Sequence, residues 1–280
     1  DLRERGATPK GQLGRSRVSC IVGDARKLHT DPAYRGALFE VASQFNLLEM
    51  VSPLITPEQG VTGYASDRTQ GPACAIAAGA GTIYRNYLVP VPGGRGQSAD
   101  QQLDCLADLG AALGNADGAL WSMRNGYALC SEEGLARINA LLERSPPQAI
   151  DAFRGLLRIG LQWNVEVTDA PPGTQVVSQA YCSALPVAYT RIGREKWRRF
   201  ACLVLEAAYE ATLLAAVLNM QRGGTNQVLL TRVGGGAFGN EFGWINSAIE
   251  RAVDLVENAG LDVRIVSFSG IPEDLRRLCR

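Results

Sequence analysis

The sequence predicts an α/β fold in which a mixed, largely parallel sheet is covered by helices on both faces. Of the 280 residues, 46% are hydrophobic, which is enough for a large core in one domain. Short apolar runs with strand composition alternate with longer helical patterns, most clearly in the second half of the chain, as βαβ units do. We therefore expect a single domain over residues 17–280. Residues 1–16, with several arginines and glycines and no apolar run, are expected to be a flexible lead-in rather than a secretory signal.

The elements of the first half are predicted from composition and spacing. Apolar runs predict strands at 18–22, 38–45 and 82–89, and an alanine-rich stretch predicts a helix over 72–81. Leucines at helical spacing predict a helix over 99–113. Asn125-Gly126 is typical of a tight hairpin turn within 118–130, and Ser131 is a suitable N-cap for a helix over 131–142. The region of about 90–172 is expected to be an elaboration of the core.

The elements of the second half alternate more regularly. The patterns predict strands at 161–167, 175–184, 227–233 and 263–268, and helices at 150–157, 196–220, 242–258 and after Pro272. The pattern over 196–220 is long and apolar enough to be considered as a membrane-spanning helix. Glu206 and Glu210 lie on one face of it, which favours a buried helix with one polar stripe over a membrane span.

Composition excludes several function classes. Lys plus Arg and Asp plus Glu both number 28, so no broad basic field exists to attract nucleic acid, and neither nucleic acid nor a membrane is an expected partner. Seven scattered cysteines without a C-x-x-C pair indicate reduced, buried thiols and a cytoplasmic protein. His29 is the only histidine and is expected at the surface or in a turn. Histidine-dependent hydrolases and zinc sites are therefore disfavoured.

A glycine-rich loop at 234–240, G-G-G-A-F-G-N, is the clearest pointer to function. It follows a predicted buried strand and opens a predicted helix, so backbone N–H groups and the helix N-terminus could hold a phosphate. The loop lacks the G-K-[ST] ending of a nucleoside triphosphatase, and no G-x-G-x-x-G follows the first strand. The remaining donors and carboxylates suit binding of a diphosphate and hydrolysis of a glycosidic or ester bond.

Three motifs in this order resemble those of macrodomains, and the resemblance covers most of residues 18–270. V-G-D-A at 22–25 resembles G-D-[IV]-[TL], and A-S-Q-F-N at 42–46 stands where macrodomains carry N-A-A-N. The 234–240 loop is similar to the G-C-G-A-F-G loop of poly(ADP-ribose) glycohydrolases. Segments 67–75, 181–186 and 205–212 resemble the MavL-type ADP-ribosyl-ubiquitin hydrolases. The resemblance implies a three-layer α/β/α macrodomain-like fold with a mixed central sheet and an elaborated middle region.

The resemblance also implies roles for individual residues in binding ADP-ribose. Asp24 would bind adenine and Phe268 would stack on it, while Asn46 would contact the distal ribose. The diphosphate and neighbouring ribose would be held by the loop residues Gly235, Gly236, Ala237, Phe238, Gly239 and Asn240.

The catalytic group is less clearly indicated by the resemblance. Glycohydrolases carry Gln-Glu-Glu after the first glycine loop, whereas this chain has Asp67 and Gln70 there. Asp67 and Glu49 are the candidate catalytic carboxylates, and Gln70 is a candidate ligand-binding residue. Each has a structural alternative: Asp67 could cap a helix, and Glu49 could pair with an arginine.

The predicted function is therefore an ADP-ribosylhydrolase that cleaves ADP-ribose from ADP-ribosylated protein, with ubiquitin as one candidate target. No cofactor and no metal are expected. Two alternatives remain open at this point: a non-catalytic ADP-ribose reader, and a phosphatase acting on ADP-ribose phosphate.

Overall fold

The computed structural model describes residues 1–6 and 14–279, and a six-stranded mixed sheet lies at its centre. In chain order, the strands are β1 (Arg17–Val22), β2 (Leu38–Ala42), β3 (Pro90–Val91), β4 (Gly94–Arg95), β5 (Trp121–Arg124), β6 (Tyr127–Cys130), β7 (Gly160–Glu166), β8 (Val176–Cys182), β9 (Gln227–Leu230) and β10 (Asp262–Ser267). The helices are α1 (Leu2–Arg5), α2 (Ala25–Thr30), α3 (Gln70–Ala77), α4 (Gly79–Ile83), α5 (Ala107–Leu113), α6 (Glu132–Arg144), α7 (Pro147–Arg154), α8 (Arg194–Gln221), α9 (Phe242–Leu255) and α10 (Glu273–Arg276).

The central sheet has the strand order β1-β10-β9-β2-β8-β7. All neighbouring strands in it are parallel except β7, which pairs antiparallel with β8. The carboxyl ends of β1, β10, β9, β2 and β8 therefore meet at one edge of the sheet. The pairs β3–β4 and β5–β6 are separate hairpins, and β5–β6 turns at the predicted Asn125-Gly126.

Helices cover both faces of this sheet. Phe39 and Glu40 are consecutive in β2, so their side chains point to opposite faces. Phe39 packs against His29 of α2, with ring centroids 3.8 Å apart. On the opposite face, the Tyr209 hydroxyl of α8 donates to the Thr231 carbonyl just beyond β9. The predicted mixed α/β/α fold is confirmed.

The long helix α8 is a core helix. It is long and apolar enough to cross a membrane, but 83% of its most apolar stretch is buried inside the protein. Its two internal carboxylates form ion pairs: Glu206 with Arg154 at 2.7 Å, and Glu210 with Arg251 at 2.7 Å. The predicted polar stripe therefore holds neighbouring elements to α8.

Residues 82–89 form helix rather than the predicted strand. They continue from α4 into a π-helical turn, Tyr84–Leu88. The buried Arg85 and Asn86 side chains donate to the carbonyls of Leu47 and Pro57, and these tertiary contacts override the strand-like composition. Similarly, α5 begins only at residue 107, because residues 99–106 are irregular.

The boundaries expected for the lead-in and the middle region also differ from the structure. Within the expected lead-in, Leu2–Arg5 form α1, which packs on α8, and Arg3 forms an ion pair with Asp151 at 3.0 Å. Residues 7–13 of the expected lead-in lie outside the described residues. The elaboration expected to reach residue 172 ends earlier, because β7 already belongs to the central sheet.

His29 is buried, so its expected position at the surface was wrong. Its Nδ1 lies 2.7 Å from the Ala25 carbonyl, and its Nε2 lies 2.9 Å from the Gln179 side-chain nitrogen. Nδ1–H therefore donates and Nε2 accepts, which is the neutral form of the ring. Burial lowers the pKa of His29 to about 4.

Acid should destabilise the protein through His29. The unfolded chain takes up this proton near pH 6.5, whereas the folded protein does so only near pH 4, so the free energy of unfolding falls between these values. Urea unfolding at several pH values should show the wild type losing about 3 kcal/mol more than His29→Gln across this window. Other titrating groups are common to both proteins and cancel in the difference, so parallel stability curves would contradict the assignment.

Candidate functional site

A cavity of about 650 Å³ opens at the edge of the sheet where the parallel strands end. Residues that follow five different strands line it: Asp24 after β1, Ser43 after β2, Ala184 after β8, Thr231 after β9 and Phe268 after β10. Ligands of open α/β sheets bind in this position, and the volume is in the usual range for small-molecule sites. The cavity is therefore the candidate site.

Three residues of the glycine loop at 234–240 maintain its shape. The amides of Gly235, Gly239 and Asn240 close turns on carbonyls within residues 232–236, at 2.9–3.1 Å. The Asn240 side chain is buried and donates to the Leu185 carbonyl at 2.9 Å. Gly239 has a φ of +71°. None of these three predicted ligand-binding residues lines the cavity, so the structure gives them a role in forming the loop.

The centre of the same loop faces the cavity. Gly236, Ala237 and Phe238 all line it. Among the residues that the structure describes, no protein acceptor is hydrogen-bonded to the backbone amides of these three residues. Three successive donors without a protein acceptor at a cavity wall are suited to hold an anion.

Positive charge at the loop comes from an arginine side chain. Arg232 lines the cavity, with its guanidinium 3.8 Å from the centroid of the Phe242 ring and Nη1 3.1 Å from Asp274. Helix α9 begins only at residue 242, and none of its residues lines the cavity. The expected contribution of the helix N-terminus is therefore replaced by Arg232, which the sequence analysis missed.

Asp24 and Phe268, which the resemblance implies as adenine-binding residues, line another part of the cavity wall. One Asp24 carboxylate oxygen accepts from the Arg26 amide at 2.9 Å and caps α2. Asp24 therefore caps a helix and also lines the cavity. Phe268 is 77% exposed, which leaves its ring face available to a planar ligand.

An aromatic wall forms around Phe238. Its ring centroid lies 5.4 Å from that of Tyr127 and 5.6 Å from that of Tyr189. Phe238 is thus anchored by packing and also lines the cavity. Tyr127 lies on β6, so the middle region of the chain contributes to the site. Neither tyrosine was a predicted site residue, because only long-range packing brings them together.

Glu49 is the buried carboxyl group of the cavity. Its exposed fraction is 5%, and Oε1 has no hydrogen-bond partner among the described residues. Burial raises the pKa of Glu49 well above its usual value, the Arg85 guanidinium opposes this shift, and the Asp67 carboxylate adds to it. A raised pKa favours the protonated form of the carboxyl group, which is the form that a general acid needs.

Asp67 and Gln70 also line the cavity, and each has hydrogen-bond partners in the protein. Asp67 Oδ1 accepts from the amide and the hydroxyl of Thr69 at 2.8 and 2.7 Å. The Gln70 amide accepts from Ala42 N at 2.9 Å and donates to the Glu40 carbonyl at 3.0 Å. Gln70 therefore completes the hydrogen bonds of β2 at the cavity wall.

Asn46 does not line the cavity, although the sequence predicts it as a ligand-binding residue. It is fully buried, and its side chain donates to Gln102 at 2.8 Å and accepts from Leu48 N at 3.1 Å. The chain turns sharply just after it, since Leu47 has a φ of +67°. Ser43 instead occupies the wall, with a buried hydroxyl that lacks a partner among the described residues.

The structure offers no grouping of metal ligands at the cavity. Across residues 1–6 and 14–279, no three His, Cys, Asp or Glu side chains are placed together to hold a metal ion. The polar groups that could act on a ligand are therefore carboxylates, hydroxyls, arginines and backbone amides.

Solved structures similar to this chain include a macrodomain and poly(ADP-ribose) glycohydrolases. A mutant of the Oceanobacillus iheyensis macrodomain is 12% identical, with 97% of this chain and 93% of that chain covered and a TM-score of 0.43. A mutant poly(ADP-ribose) glycohydrolase from Deinococcus radiodurans, in complex with ADP-ribose, is 11% identical, with 99% and 85% covered and a TM-score of 0.46. The glycohydrolase from Thermomonospora curvata is 14% identical, with 99% and 79% covered and a TM-score of 0.43.

These are the families that the motifs of the sequence resemble. No protein-family model matches the chain, and no curated protein does. Because all three TM-scores lie below 0.5, the function is argued from the cavity itself.

Gly71→Ala should disturb the buried Glu49 carboxyl. A Cβ at residue 71 would lie 2.1 Å from Glu49 Oε2 and 2.5 Å from the Ala42 carbonyl, so the carboxyl must move. We expect the free energy of unfolding to fall by about 1–3 kcal/mol, as for other overpacked sites. Gly63→Ala is the matched control, because a Cβ there meets nothing within 4 Å. Equal stability of the two variants in urea unfolding would contradict the buried position of Glu49.

Proposed function

We propose that the protein binds ADP-ribose and hydrolyses the bond between ADP-ribose and a modified protein. The observation that carries the proposal is the run of three cavity-lining residues, 236–238, whose backbone amides have no protein acceptor among the described residues and which lie close to Arg232 in the chain. Neutral backbone N–H donors together with a guanidinium group are suited to bind the oxygens of a diphosphate. The macrodomain-like motifs around them support the same ligand.

The order of groups along the cavity supports one orientation of the ligand. Adenine would stack on Phe268 and donate from its amino group to Asp24, since a nucleobase needs a planar surface and a polar partner. The diphosphate would accept from the amides at 236–238. The distal ribose would then lie by Phe238 and the Glu49 carboxyl group.

The proposed chemistry is cleavage of the bond at the anomeric carbon of the distal ribose. Protonated Glu49 would give its proton to the departing atom of the modified residue as the bond to the anomeric carbon breaks. A water molecule would add its oxygen to that carbon and pass a proton to Asp67. Such pairing of a general acid with a carboxylate base is the usual basis of glycosidic hydrolysis.

The target protein in this proposal is inferred from the sequence resemblance. Ubiquitin is the target protein that the MavL-type resemblance favours. A cytoplasmic, reducing location is favoured by the seven scattered cysteines, which include no C-x-x-C pair. The two other functions, a reader and a phosphatase on ADP-ribose phosphate, are outcomes of the experiment below.

Glu49→Gln should abolish turnover and preserve binding. The amide matches the size of the carboxyl group but cannot donate an acidic proton, so release of ADP-ribose from a mono-ADP-ribosylated protein should fall by about 100-fold or more. The Kd for ADP-ribose, measured by calorimetry, should change by less than about three-fold, since 0.7 kcal/mol corresponds to that factor. Asp67→Asn tests the proposed base in the same way, and the exposed Glu133→Gln is the control.

Three results would contradict hydrolysis by Glu49. Unchanged turnover in Glu49→Gln removes that residue from the mechanism. Binding of ADP-ribose by the wild type without any release from modified protein favours a reader. Release of inorganic phosphate from ADP-ribose phosphate, followed by mass spectrometry, favours a phosphatase.

Phe268→Ala should weaken ADP-ribose binding without affecting stability. Removing an aromatic platform under a nucleobase costs about 1–3 kcal/mol, which corresponds to a five-fold to 150-fold higher Kd. Phe268 is 77% exposed, so the melting temperature should not change. Leu255→Ala is the control, because Leu255 is also exposed but lies on α9, away from the cavity. Equal Kd values for the two variants would exclude Phe268 from the site.

A further inference from the structure

Two buried side chains hold the segment that leads into the glycine loop. Glu40 Oε2 accepts from Thr231 N at 2.9 Å. The Tyr209 hydroxyl donates to the Thr231 carbonyl at 2.7 Å and accepts from Val233 N at 2.9 Å. Glu40 is 1% exposed and Tyr209 is fully buried, and neither lines the cavity.

These hydrogen bonds replace those of a strand. The pairing of β9 with β2 stops at Phe39↔Leu229, and its pairing with β10 stops at Leu230. The backbone of 231–233 then continues along the cavity wall, half-buried at 231 and 232 and buried at 233, where unpaired amides and carbonyls are costly. Side chains from β2 and α8 supply the missing partners from fixed elements of the core.

We propose that Glu40 and Tyr209 are positioning residues for the diphosphate site. They fix Thr231 and Val233, and thereby the residue between them, Arg232, which lines the cavity. The three cavity-lining residues with unpaired amides, 236–238, follow Val233 by only three to five residues. With both side chains in place, the amides of 236–238 and the Arg232 guanidinium are ordered before the ligand binds. This avoids the free-energy cost of ordering the loop upon binding. The identity of the ligand in this inference depends on the proposed function, whereas the ordering of the loop does not.

The chemistry around Glu40 shows which substitution should preserve the arrangement. Burial raises the pKa of Glu40 to about 8, so the carboxyl group is mainly neutral at pH 7. Its second oxygen, Oε1, lies 3.6 Å from Cys182 Sγ. The amide of Gln would keep an acceptor for Thr231 N and place an N–H near this sulfur. Leu would fill a similar space without any acceptor.

Four proteins test the inference: wild type, Glu40→Gln, Glu40→Leu and Tyr209→Phe. The Kd for ADP-ribose is measured by calorimetry at pH 7, and amide hydrogen exchange is followed by mass spectrometry in peptides covering 229–239 and in reference peptides from β1 and α6. Glu40→Gln should bind within about three-fold of the wild type. Glu40→Leu and Tyr209→Phe should raise Kd by about ten-fold or more, since each leaves buried backbone groups unpaired. Exchange should accelerate in 229–239 and remain unchanged in the reference peptides.

The outcomes separate this inference from the proposed function. Failure of the wild type to bind ADP-ribose overturns the proposed function, while the exchange data still decide whether Glu40 and Tyr209 order the loop. Wild-type affinity and exchange in Glu40→Leu and Tyr209→Phe overturn the inference. Faster exchange throughout a variant also overturns it, because the effect is then global. If Glu40→Leu does not fold, the comparison of Tyr209→Phe with Glu40→Gln decides.

Discussion

Parallel pairing of five neighbouring strands is the constraint on which the site depends. Because β1, β10, β9, β2 and β8 run in the same direction, the segments that follow them emerge at one edge of the sheet. Residues far apart in the chain, such as Asp24, Ser43 and Thr231, thereby line one cavity. Reversal of any of these strands would carry its contribution to the opposite edge. Helices on both faces bury the sheet and make this arrangement stable.

The second constraint is the separation of β9 from β2 at this edge. Backbone groups that a neighbouring strand would satisfy are instead paired with side chains: Gln70 for β2, and Glu40 with Tyr209 for the segment after β9. The gap thus provides space for a ligand without leaving these groups unpaired. Glu49 and Ser43 differ, since each keeps a buried polar atom without a partner among the described residues. Such atoms next to a cavity are suited to contact a ligand.

Apolar runs in the sequence predicted the six strands of the central sheet. The resemblance to macrodomains implied Asp24, Phe238 and Phe268 as site residues, and all three line the cavity because they follow or adjoin these strands in the chain. Long-range packing determines the positions of the residues that the sequence analysis misplaced or missed. Asn46 is turned away by the left-handed Leu47 and is bound to Gln102, while Tyr127 reaches Phe238 from a distant hairpin. His29 is buried because α2, which the sequence analysis did not predict, packs it on Phe39. No local signal in the sequence encodes such contacts.

The central claim is that the cavity holds ADP-ribose with its diphosphate on the 236–238 amides. A crystal structure of the protein soaked with ADP-ribose tests it most directly. We expect adenine on Phe268 and within hydrogen-bond distance of Asp24, phosphate oxygens about 2.7–3.2 Å from the amides of the loop, and the distal ribose beside Glu49. Ligand density that avoids the loop, or that places the distal ribose away from Glu49, would contradict it.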